Sequence, residues 1–108
     1  MNRETFGAID IGSNAIRLLI DYVEAYEDGR TEYKKAAFVR VPIRLGDDVF
    51  LRGRISNGKA EALCDAMQGF SALFRAFAVK DYRAYATSAM REAENGSEVV
   101  SLIRNRSG

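Results

Sequence analysis

The sequence contains no histidine and no tryptophan, one cysteine and one proline among 108 residues. Without imidazole, Ser-His triads, histidine bases and His-ligated metals are excluded, and acid-base work falls to carboxylates. Cys64 alone excludes an intrachain disulfide and an all-cysteine zinc site, and it fits a reducing compartment. No apolar run approaches the length of a membrane span, and the start MNRETFGAID lacks the apolar core of a secretory leader. An excess of charge of one sign is absent too: sixteen basic and fifteen acidic residues leave +1, so no global field recruits nucleic acid. The expectation is a soluble cytoplasmic protein with no nucleic-acid or membrane partner, in which any anion site is local.

What is present is 47% apolar residues with 10% aromatics, enough for one packed α/β domain. Residues 5–12 form a short apolar run holding Gly7 and Gly12, suited to a central strand covered on both faces. Residues 15–26 are rich in Ile, Leu, Val and Tyr, and Asp28-Gly29 then signals a two-residue hairpin. A third strand-like segment spans 31–46, where Pro42 argues for a bulge or an edge. Residues 47–58 read as a loop, followed by a helix from about Gly58 to Phe77 whose Leu63, Met67, Phe70, Phe74 and Phe77 fall in one stripe. Ser56 or Asn57 caps its first turn, and Cys64 neighbours the stripe as a small structural thiol. Residues 80–89 read as a strand ending in Thr87 and Ser88, and a helix starts near Ser97. The order is β-β-β-α-β-α, and the chain is either complete there or the front piece of something longer.

Two patterns are weighed and set aside. Residues 53–60, GRISNGKA, spell most of a phosphate-binding P-loop but lack the final Ser or Thr that holds magnesium, so a capped helix start fits better. Asn95-Gly96-Ser97 and Asn105-Arg106-Ser107 match a glycosylation sequon short enough to arise by chance.

The stretch AIDIGSNAIRLLI, residues 8–20, is different, because a buried-looking strand runs into Asp10 and then Gly-Ser-Asn. An ionised carboxylate there is costly unless it is paired or serves a site. In such a turn Gly12 lets a ligand approach the backbone, and the N–H groups of Gly12, Ser13 and Asn14 can point at a phosphate. Asp10 could hold a hydrated magnesium ion or orient a water; the plainer alternative is a hairpin whose Asp10 and Asn14 satisfy turn backbone. ATSAMREAEN, residues 86–95, supplies Thr87, Ser88 and Arg91 where a strand turns towards a helix. If that strand and the one holding Asp10 are parallel neighbours, both loops open at one end, where α/β sheets bind ligands. The alternative for Arg91 is a pairing with Glu92, Glu94 or a helix end.

AIDIGSNAIRLLI, IRLGDDV, the G-R-I-S approach to a helix and ATSAMREAEN occur in the order found in the exopolyphosphatase and guanosine pentaphosphate phosphohydrolase family, which the chain resembles over residues 6–108. The resemblance implies an actin-like, ribonuclease H-like fold, with residues 1–108 forming the N-terminal part of its first domain and the remainder absent. It implies a magnesium-dependent enzyme that releases terminal phosphate from polyphosphate or guanosine pentaphosphate. Asp10, Gly12, Ser13 and Asn14 match the first phosphate loop, and Arg91 matches the arginine facing the substrate phosphate. Arg17 falls where relatives carry a basic or imidazole group, and Arg44 of RLG lines the same cleft or is structural. The family's water-activating Glu and second phosphate loop match no position of this chain, and neither Glu92 nor Glu94 aligns with that Glu. The isolated chain is therefore expected to be nearly inactive, with a non-catalytic polyphosphate or alarmone sensor as the alternative and an actin-like ATP-binding half as a weaker one. An open sheet edge would favour a homodimer or other self-association.

Overall fold

The computed structural model describes residues 1–86 and 88–107. Three antiparallel strands, β1 (Asn2–Ile11), β2 (Ile16–Ala25) and β3 (Thr31–Val41), are followed by helices α1 (Leu45–Arg52) and α2 (Asn57–Ala76). Strand β4 (Asp81–Ala86) and helices α3 (Ser88–Glu92) and α4 (Gly96–Ser107) complete the order. The sheet runs β3-β2-β1-β4, with β1 and β4 parallel. The opening meander is as expected, and β1 is central.

The β2–β3 turn is a hairpin, but its loop is longer than two residues. Tyr26 N–H donates to the Arg30 carbonyl and Gly29 N–H to the Tyr26 carbonyl, with Gly29 at φ +87°. A left-handed glycine closing an i to i+3 turn is the three-residue solution. Strand β3 ends at Val41, so Pro42 lies just beyond it; the bulge is instead at Ala36, where pairing passes from Ala37–Ile20 to Lys35–Asp21.

Alternation sorts the sheet. Ile9, Ile11, Ile16, Leu18 and Ile20 are buried and face α2, whose Leu63, Cys64, Met67, Phe70 and Phe74 form the matching stripe. Phe74 comes so close to β1 that a Cβ at Gly7 would lie 2.6 Å from its ring. The other face of β1, with Phe6, Ala8 and Asp10, is only half-buried, which corrects the expectation of a strand covered on both sides. All the helices of the core cluster draw on the first face, so alternation, not a continuous apolar run, describes β1.

Two further boundaries differ from expectation. The segment after Gly46 is a helix: Leu45 and Val49 lie one turn apart, and Gly53 at φ +74° ends it with its N–H on the Val49 carbonyl. Strand β4 stops at Ala86, and Ser88 opens α3 instead of closing the strand. Thr87 lies outside the described residues, as does the side chain of Ser88. Among the described residues no helix is long and apolar enough to cross a membrane.

Side chains tie the helices together. The Asn95 amide accepts from Ile55 N–H at 2.9 Å and donates to the Ile55 carbonyl at 2.8 Å, so this buried sequon asparagine is a structural clasp. A Cβ on Gly96 would overlap the Met90 carbonyl oxygen, which fixes glycine at the start of α4. Ser56 caps α2 by accepting from Lys59 N–H. Asp48, on α1, accepts from Ser56 N–H at 2.8 Å and lies 3.1 Å from Lys59 Nζ.

Burial pushes the Asp48 carboxyl up, but hydrogen bonds from Ser56 and Lys59, with the lysine charge, outweigh it and bring it down to about 2. A depressed folded-state value contributes stability that is present above the unfolded value near 3.8 and lost as pH falls towards 2. We expect the stability difference between the wild type and Asp48→Asn to shrink by roughly 2 kcal/mol between pH 5 and pH 2 in urea titrations. A difference independent of pH would show that the Asp48 charge does not fasten α1 to α2.

Candidate functional site

Parallel pairing of β1 and β4 aligns Asp10 with Tyr85 and Ile11 with Ala86, so both strands end together. The Gly12–Ala15 turn and α3 therefore open on the same end of the sheet, the place where α/β folds bind ligands. That geometry follows the expectation drawn from the two motifs.

Within the turn, Gly12 N–H donates to the Ala15 carbonyl at 3.0 Å. It closes the hairpin and is not available to a phosphate, which corrects one of the three expected donors. Ser13 and Asn14 are the remaining N–H groups. Their position is set from outside, because Gly46 N–H donates to the Ser13 carbonyl at 2.9 Å. A Cβ on Gly46 would lie 3.0 Å from Ser13 Cβ and 3.3 Å from its carbonyl oxygen. The glycine of RLG is thus a buttress for the turn, a role its sequence did not disclose.

The turn, α1 and α3 enclose a cavity of about 240 Å³ lined by Ser13, Gly46, Val49, Phe50, Ala89 and Glu92. Arg91 is exposed on α3, one residue from Glu92, and is not on that wall. Among the described residues it forms no ion pair with Glu92 or Glu94; it stands in the last turn of α3, so of the plain alternatives the helix-end placement is the one present. Arg44 is in a local structure: its Nε lies 2.8 Å from Asp47 Oδ2, and its carbonyl accepts from Lys59 Nζ. Hydrogen bonding from Arg44 holds the Asp47 carboxyl below its ordinary range. Arg44 therefore braces the α1 entrance and does not line the cavity.

Arg17 stands directly opposite Asp10 on β2, with Arg40 opposite Arg17 on β3. Asp10 is thus the one acid in a cross-sheet row Arg40, Arg17, Asp10, Tyr85 on the half-open face. Among the described residues no group of three or more acidic or cysteine side chains could hold a metal by itself. Magnesium commonly takes one or two carboxylates and fills its shell with water and substrate phosphate, so Asp10 through water fits such an ion.

A sequence profile described as the Ppx/GppA phosphatase family matches residues 36–108. The chain is 29% identical over 102 residues to exopolyphosphatase 1 of Mycobacterium tuberculosis, covering 94% of this chain and 28% of that protein. The chain thus spans less than a third of that relative's length. Among solved structures, the Ppx/GppA family member of Aquifex aeolicus superposes with a TM-score of 0.90 at 26% identity, over 99% of this chain and 33% of that one. An exopolyphosphatase-like protein superposes with a TM-score of 0.81 at 30% identity, over 98% of this chain and 31% of that one.

The buttress makes a specific demand. Gly46→Val should weaken binding of inorganic tripolyphosphate about tenfold and move the Ser13 and Asn14 amide resonances. Gly58→Ala, whose Cβ meets nothing within 4 Å, serves as control and leaves both unchanged. Unaltered amides in the Gly46 variant would remove Gly46 from any role in shaping the turn.

Proposed function

The chain belongs to the Ppx/GppA phosphatase family, and from that premise we propose that it forms one wall of the phosphate cradle in a hydrolase that releases terminal phosphate from inorganic polyphosphate or guanosine pentaphosphate. Its α/β fold is a portion of the actin-like ATPase fold. The observation that carries the reading is the junction of the three motifs: the Asp10 turn, the RLG glycine and the ATSAMREAEN helix meet around one cavity at the ends of two parallel strands.

Phosphoryl transfer asks the protein for positioning and for charge stabilisation more than for covalent chemistry. Ser13 and Asn14 N–H groups orient the terminal phosphate, with Gly12 keeping the turn open to it. The Arg91 guanidinium, exposed on α3, swings over the phosphate to meet the charge that develops during transfer. Arg17 beside Asp10 adds a contact along the chain of phosphates, in the cytoplasm. Asp10 would hold a magnesium ion through water, and such an ion would supply neutralisation of phosphate charge.

Glu92 on this wall does not align with the water-activating Glu that the family resemblance implies, and the reading therefore has the 108 residues alone nearly inactive. Inorganic phosphate release from long-chain polyphosphate with magnesium tests the reading. A longer polypeptide containing these residues releases phosphate, the isolated chain does not, and Arg91→Ala in the longer one loses about two orders of magnitude or more. Near wild-type turnover in that variant would sink the role of Arg91; binding without release by every form would favour a sensor.

We also propose that the isolated chain self-associates through β4. Its residues Asp81–Tyr85 are exposed, and beside it an apolar cavity of about 540 Å³ is lined by Ile9, Met67, Phe74, Ala84, Val100 and Ile103. Unpaired edges beside apolar surface favour pairing with another strand. Sedimentation should show a concentration-dependent dimer or larger species, and a monomer at millimolar concentration would overturn this.

A further inference from the structure

Phe50 is 88% exposed and Leu51 75%, on a helix whose inward face is already supplied by Leu45 and Asp48. A scattered exposed apolar residue needs no explanation, and Tyr33 and Phe38 on β3 are of that kind. Phe50 differs because it also lines the cavity of Ser13, Gly46 and Glu92. A ring in that place does nothing for the core, and it gives a bare phosphate chain no hydrogen bond.

The cavity, at about 240 Å³, is smaller than the pockets that enclose whole small molecules. It has room for terminal phosphate, so whatever is attached to that phosphate continues outside it, and Phe50 is the one lining side chain that is both aromatic and 88% exposed. An aromatic face on such a path is a platform for a planar base, and stacking of this kind tolerates any base because each has a π-face. Arg52 and Arg54, both exposed just after Phe50, add positive charge along the same segment.

We propose that Phe50 is a base-stacking residue that makes the site prefer a 5′-polyphosphorylated nucleotide over a phosphate chain without a base. The proposal rests on the cradle reading above and adds to it the determinant of substrate class.

The test is a pair of magnetic-resonance titrations of the isotope-labelled chain with magnesium, one with guanosine 5′-triphosphate and one with inorganic tripolyphosphate. Ser13 and Asn14 amides report the phosphate, and the Phe50 ring protons report the base. Both ligands should move the amides, the nucleotide alone should move the ring, and the nucleotide should bind about tenfold tighter. Phe50→Ala should bring the two affinities together, and Phe50→Trp should keep the nucleotide ahead; at 88% exposure neither change disturbs the fold. Amides that move equally with both ligands, at equal affinity and with a still ring, would overturn the role of Phe50 and leave the cradle standing. Amides that move with neither ligand would overturn the cradle itself, and the stacking proposal with it.

Discussion

The parallel pairing of β1 with β4 is the constraint on which everything else rests. Antiparallel strands can be joined by a tight turn, but a parallel neighbour must be reached by a crossover. Here the crossover is long: the chain makes β2 and β3, then α1 and α2, before β4 enters beside β1 in register from Phe6–Asp81 to Ile11–Ala86. Only that register brings the ends of both strands level. A slip of one residue would turn Ala84 and Ala86 from the helix face to the open face and move α3 away from the Ser13 turn.

Backbone hydrogen bonds then convert level strand ends into a site. Gly46 to Ser13 fastens the segment after β3 onto the turn after β1. Glu94 N–H to the Gly53 carbonyl, with the two Asn95 bonds to Ile55, fastens the segment after β4 onto the end of α1. The three family motifs are therefore one structural unit. The first two are also tight at a glycine: a Cβ would lie 3.0 Å from the Ala15 carbonyl oxygen at Gly12 and 3.0 Å from Ser13 Cβ at Gly46. Far from this end, Glu24 is buried with Lys34 at 2.9 Å and Arg3 at 3.5 Å, and hydrogen bonding from Lys34 holds its carboxyl below the ordinary range. That pair belongs to the projecting hairpin, which draws the chain out to 55 Å in its longest dimension.

The sequence was legible where local signals and tertiary demand agree. Asp28-Gly29 marks a turn because a left-handed residue is needed there, and the α2 stripe is read from spacing because one side of the helix is buried against the sheet. It was misread where short elements depend on their neighbours. Gly46, Asp47, Asp48 and Gly53 look like loop residues; in the fold Gly46 approaches a backbone, Asp48 grips α2, and Gly53 ends a helix. The spacing of Leu45 and Val49 was the available sign of α1. YATSA is ambiguous between strand and helix because small residues suit both, and the break comes after Ala86. Arg44 had a readable partner three residues on, whereas the exposure of Phe50 and the wall position of Glu92 are set by packing and leave no local mark.

The charge balance explains why the site must work at short range. With a net charge of +1 the chain gives a polyanion no long-range pull, so under the proposed reading attraction falls to the Ser13 and Asn14 N–H groups and to Arg17 and Arg91. Two carboxylates stand close to the same end, Asp10 in the sheet row and Glu92 on the cavity wall. A carboxylate beside a phosphate repels it unless a cation lies between them, and the oxygen-rich, imidazole-free surroundings suit a hard divalent ion better than a transition metal. In the proposed site the same acids would weaken capture of free phosphate and favour phosphate that arrives with its counterion. A neutral chain with a locally mixed site would discriminate in this way, and a uniformly basic cleft would not.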